Sequence, residues 1–125
     1  MRYALLLHYP QPAVSNLSEE ALAAGRAAFH DYATALNDAG VLRSAEVLQT
    51  VASATSISLK NGSLQVQDGP FAQTREQFAG IFVIDVPDLG AALAWAEKCP
   101  AAQWGTVEIR PSGVRFVDGA WIASA

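Results

Sequence analysis

The sequence is short of several things, and each shortage removes a class of function. It has one cysteine, Cys99, so no disulfide can form within the chain and nothing in it depends on an oxidising compartment. Basic residues number 8 against 12 acidic, a net charge of −4, and they are scattered singly rather than in runs. A nucleic-acid binder needs a basic footprint to displace counterions from phosphates, and none is present. Long apolar runs are also missing. The segment Tyr3–Leu7 is broken by His8 and closed by Pro10, too short for a signal-peptide core and far short of the ~20 residues that span a bilayer. A soluble, cytoplasmic protein is expected, without membrane or nucleic-acid partners.

Chemical motifs are equally sparse. The sequence holds no phosphate-binding glycine loop, no dinucleotide fingerprint and no Gly-x-Ser-x-Gly elbow. Two histidines 22 positions apart and a lone cysteine show no close-spaced ligand set, so neither a metal nor another cofactor is expected. Apolar residues make up 51% of the 125 positions and charged residues 16%, enough to build one buried core and too apolar for disorder.

The order of elements can be read from periodicity and punctuation. Residues 2–9 read as a strand, apolar at both parities (Tyr3, Leu5, Leu7, Tyr9 and Ala4, Leu6) and ended by Pro10-Gln11-Pro12. Ser18 is placed to cap a helix whose first turn carries Glu19 and Glu20, with Leu17 and Leu22 at staple positions. Leu22, Gly25, Phe29, Tyr32, Ala33 and Leu36 make its core stripe, and Gly40 stops it. A strand over 42–49 follows. Ile57, Leu59, Leu64 and Val66 then alternate with polar residues about Asn61-Gly62, which predicts a type I′ hairpin with Leu59 opposite Leu64 and Ile57 opposite Val66.

Gly80 opens another doubly apolar strand, 81–84. Asp88 is the expected cap of a second helix with a stripe of Leu89, Ala92, Leu93 and Ala96, ended by Lys98 and Pro100. Residues 106–110 alternate as a strand, and 114–117 with 120–123 flank Asp118-Gly119 as a terminal hairpin. Two helices on one face of an antiparallel sheet make a split βαβ, ferredoxin-like α+β domain over 1–111, with 112–125 as an extension. The strands 3–9 and 81–84 are apolar on the second face too, more than two helices can cover. A twofold homodimer stacking the two sheets resolves this; the alternative is a tail that folds back over the face.

The opening Met-Arg-Tyr-Ala-Leu-Leu-Leu, Asp68-Gly69-Pro70-Phe71 running into Ala72-Gln73-Thr74-Arg75-Glu76-Gln77 and Gly80, Asp85 through Ala92-Leu93-Ala94-Trp95-Ala96 to Cys99-Pro100-Ala101-Ala102, and Gly105-Thr106-Val107-Glu108-Ile109-Arg110-Pro111 together resemble YCII-related proteins of the DGPF branch. The resemblance implies a dimeric α+β barrel with a pocket between helices and sheet. It also implies a function that is largely unassigned: some members stand beside extracytoplasmic-function sigma factors, which suggests an accessory regulatory role and a functional link to such a factor, and a few relatives are cofactor-free enzymes with a helix-borne histidine and an aspartate. His30 lies on the corresponding helix, one position and so ~100° from that histidine. No aspartate is matched, and the tail from Ser112 extends past the family's usual end.

The candidate site residues each have a functional and a structural reading. His30, four residues after Arg26, is apt for acid–base work near neutrality or is simply a flank of the apolar stripe. His8 ends the first strand, where it can orient a ligand or move a proton. Asp68 either caps the Gly69-Pro70 turn or offers a carboxylate at a pocket mouth walled by Phe71. Glu108 and Arg110 share the polar face of the last main strand, where they pair with neighbours or line a site, Arg110 gripping a carboxylate. Cys99 is a small filler at a helix end or a reactive thiol. The leading expectation is a cofactor-free, homodimeric protein that binds an unidentified small molecule. The rivals are a lyase or isomerase using His30 or His8 with Asp68, and a protein-interaction module acting through the tail.

Overall fold

In the computed structural model, which describes residues 1–11 and 17–124, strand β1 (Arg2–Tyr9) forms the middle of everything that follows. It is succeeded by α1 (Glu19–Asp38), β2 (Leu42–Val47), a short 3-10 turn (Val51–Ser53) and the hairpin β3 (Thr55–Lys60) and β4 (Ser63–Asp68). Then come β5 (Gln77–Asp85), α2 (Leu89–Glu97), the single turn α3 (Ala101–Trp104), β6 (Thr106–Pro111) and a last hairpin, β7 (Val114–Val117) and β8 (Ala120–Ala123). Four strands make the main sheet in the order β2-β5-β1-β6, every neighbour antiparallel. β5 separates β1 from β2, and β1 separates β5 from β6, so the two βαβ halves interleave as a ferredoxin-like α+β fold.

Local chemistry accounts for the element ends. Ser18 accepts from Ala21 N at the head of α1, and Asp88 does the same for Ala91 N at α2. Asn61 and Gly62 both adopt positive φ, as do Asp118 and Gly119, the signature of the primed turn that matches strand twist. The register is the expected one, Leu59 facing Leu64 and Ile57 facing Val66. β5 starts three residues before Gly80, and Gly80 is instead the place where β2 comes close: a Cβ there would lie 2.8 Å from the Glu46 carbonyl oxygen. β2 ends at Val47, short of the expected 49. The proline expected to help end β1 at position 12 lies outside the described residues.

The core lies between the sheet and the helices. Tyr3, Leu5 and Leu7 of β1 and Phe82 and Ile84 of β5 meet Tyr32 and Leu36 of α1 and Ala92 and Ala96 of α2, all buried. Tyr32 Oη also donates to the Trp95 carbonyl at 2.8 Å and ties the helices together. The α2 stripe is narrower than expected, because Leu89 and Leu93 are exposed. The alanines let α2 approach the sheet closely, and the leucines fall on the edge of the contact arc. Cys99 is buried behind Ala96, a filler, and burial pushes its thiol above the usual value. No described helix is long and apolar enough to cross a membrane.

On the opposite face of the sheet, Ala4 and Leu6 pair with Val83 and Ile81, and all four stay half-buried. The tail does not commit its apolar side to this face. β7–β8 is a sheet of its own in which Val114, Phe116 and Trp121 remain exposed.

Candidate functional sites

Two clefts open at the end of the sheet where β1 finishes, one on each face. The helix-side cleft has a volume of about 940 Å3 and lies between α1 and the sheet. Its floor is an aromatic cluster gathered from four elements. Trp104 stands edge-on to Tyr9 and to Phe29, each at 5.6 Å between ring centres, and Phe29 stacks on Phe82 at 6.3 Å. Such edge-to-face pairs are favourable beyond simple burial and hold a rigid wall. Ala33, Ala45 and Val47 extend the apolar lining. Burial raises the Tyr9 hydroxyl above its ordinary value, so it is a neutral phenol at physiological pH.

Charge at this cleft has one sign. Arg26 and His30 sit one helical turn apart on α1 at its rim, and no aspartate or glutamate lines it among the described residues, in a chain with net charge −4. Gly25 adds a second asymmetry. A Cβ built on it would meet nothing within 4 Å among the described residues, so none of them imposes a steric demand for glycine there, although glycine costs a helix interior ~0.5–1 kcal/mol relative to alanine. The missing side chain leaves room in the cleft.

The other cleft, about 690 Å3, lies between the end of β1, the start of β5 and the root of the β3–β4 hairpin. His8 lines it with Phe71, Phe78, Ser56, Thr74 and Glu76. His8 faces Phe78 on β5 and Thr106 on β6 in the register, and its ring tilts against Phe78 at 5.5 Å. Glu108 Oε1 lies 3.3 Å from His8 Nε2, yet that buried nitrogen makes no hydrogen bond, so the two are close without being aligned. Thr106 donates to Glu76 at 2.8 Å beside them. A carboxylate beside an imidazole is a pair suited to orienting a polar group of a ligand in this cleft.

The residues singled out from the sequence are therefore divided. His8, Phe71 and Glu108 come together on the second face. Arg110 shares the strand and face of Glu108 but lies two positions farther from the cleft, opposite Ala4. His30 is in the other cleft, exposed, with Arg26. Asp68 ends β4 opposite Thr55, exposed and lining neither cleft. The turn after it is held by other side chains: Ser56 Oγ donates to the Gly69 carbonyl at 2.8 Å and Gln67 Nε2 to that of Pro70 at 3.2 Å. Among the described residues no group of three or more histidines, cysteines and carboxylates is placed to hold a metal ion.

A model of the YCII-related domain matches residues 1–112. The chain belongs to that family. It is also 39% identical over 69 residues to an uncharacterised protein of Rhizobium meliloti, a match that takes in 54% of this chain and 55% of the relative. The chain thus spans about half the length of the curated relative that it matches. The YCII-related model ends where β7–β8 begins, so the exposed aromatic hairpin falls beyond the matched region.

Proposed function

We propose that this YCII-related protein is a homodimeric small-molecule-binding protein. Its ligand is a carboxylate with an aromatic or aliphatic body, held in the helix-side cleft. The observation that carries the reading is the charge pattern of that cleft: a rigid apolar floor beneath Arg26 and His30, with no acid in the lining. An arginine pairs bidentately with a carboxylate, and the aromatic floor takes the apolar remainder out of water. Homodimerisation rests on the second face of the sheet, where Ala4, Leu6, Ile81 and Val83 form a half-buried aliphatic strip on the side away from the helix-packed core.

The test compares acids with their amides. Octanoate and 4-phenylbutyrate are expected to raise the melting temperature in a dose-dependent way, and the two amides are not. A ligand that binds only the folded state stabilises by about 2.7 kcal/mol at a hundredfold excess over its Kd. Arg26→Gln should weaken the acids about tenfold or more, the range of a hydrogen bond to a charged group. Gly25→Leu should block binding while leaving the melting temperature of the free protein unchanged or higher. Equal binding of acid and amide, or no shift with either acid, overturns the proposal.

A further inference from the structure

Among the described residues, the two hairpins carry most of the large apolar side chains that are more than half exposed. On β3–β4 the polar residues Ser56, Ser58, Gln65 and Gln67 share one side, and Ser56 turns that side toward the His8 cleft. Ile57, Leu59, Leu64 and Val66 share the other and are 58–73% exposed. On β7–β8, Val114, Phe116 and Trp121 share one side at 59–69% exposure, with the two rings edge-on at 5.2 Å. A two-stranded hairpin with a bare hydrophobic side is marginal by itself and needs a further layer. Within one copy, neither hairpin supplies that layer to the other.

We propose that a second copy of this chain supplies it, the aliphatic side of β3–β4 packing on the aromatic side of β7–β8 of the partner. The proposal rests on the homodimer read from the sheet face. Area is the argument for it. A stable interface takes about 800 Å2 from each partner. The strip of Ala4, Leu6, Ile81 and Val83 is already half-buried and short of that amount. Seven large side chains, among them a phenylalanine and a tryptophan that each bury about 150–250 Å2, add several hundred Å2 at their 58–73% exposure. Strip and hairpins together bring the buried surface to the required size. Symmetry strengthens the case, because under a twofold axis a contact between unlike patches occurs twice and closes the assembly. The partner's β7–β8 would then lie beside the root of β3–β4, at the edge of the His8 cleft.

Sedimentation velocity at micromolar concentration tests this. The wild type should run at twice the 13.2 kDa of one chain. The double variant Leu59→Lys with Leu64→Lys, and separately Phe116→Lys, should each weaken dimerisation at least a hundredfold while keeping the wild-type circular dichroism. A cross-link provides a second measurement that needs no charge inside the interface. With Cys99→Ala as background, the variant carrying Leu59→Cys together with Phe116→Cys should oxidise to a covalent dimer at concentrations where either single variant does not. A wild-type dimer that both hairpin variants leave equally tight, with no preferential cross-link, overturns the hairpin contact and spares the sheet-face dimer. A wild-type monomer overturns both.

Discussion

Two glycines show how one residue type serves opposite ends. Among the described residues Gly25 has open space where a Cβ would stand, whereas Gly105, at the entry to β6, is pressed against backbone. A Cβ on Gly105 would collide with the His8 carbonyl oxygen and come within 2.8 Å of Tyr9 Cα. Neither obstacle is a movable side-chain tip, so β6 would have to shift away from β1. Gly105→Ala is expected to cost about 1–3 kcal/mol or more, the range for overpacking. In urea it should lower the denaturation midpoint with little change in slope. Stability within 0.5 kcal/mol of wild type would show that β6 has room to move. The site residues were legible at this scale only in part. His8, Phe71 and Glu108 stood out as polar or bulky residues at strand ends and turns. Tyr9 and Phe29 belong to separate apolar stripes in the sequence, and nothing in it brings positions 9, 29 and 104 together.

The elements themselves were largely legible because their ends are set locally. A serine or aspartate with a free amide three residues on, or an Asn-Gly or Asp-Gly pair between alternating residues, carries its own geometry. The Asp88 cap makes this measurable. Asp88→Ala should destabilise the protein by about 1 kcal/mol, within the ~0.5–2 range for such caps, and Asp88→Ser should restore most of it. Thermal denaturation of the three proteins decides, and an unchanged melting temperature for the alanine variant would mean that α2 is held by packing alone. What stayed hidden at this scale depends on tertiary contact. α3 is a single turn (Ala101–Trp104) with no side-chain cap to announce it. Leu89 and Leu93 have the right spacing for a core stripe, but the small side chains of Ala92 and Ala96 decide which arc of α2 is buried.

For the molecule as a whole, burial sets a limit on the alkaline side. Desolvation raises the pKa values of Cys99, Tyr9 and Tyr32 above their ordinary ones, 9.0 for the thiol and 10.0 for the phenols. The unfolded chain therefore gives up these protons first and binds fewer than the folded chain, so stability falls as pH rises. The decline should begin near pH 9 with the thiol and steepen past 10 with the phenols. It amounts to about 1.4 kcal/mol for each unit by which a pKa is raised. Melting temperatures recorded from pH 7 to 11 check this, and Cys99→Ala should lose the earliest part of the fall. A flat profile to pH 11 would mean that these groups sit in a more hydrated environment than their packing implies.

The topology also sets a timetable for biosynthesis. β1 is made first, yet its register partners reach Asp85 on one side and Pro111 on the other. At about 5–20 residues per second, roughly 5–20 s pass between the emergence of this apolar segment and that of the last strand flanking it. Until β5 emerges the nascent chain presents Leu5, Leu6 and Leu7 with no strand to pair with, and until β6 emerges one edge of β1 stays open. Completion of β6 is the event that closes the second edge of β1.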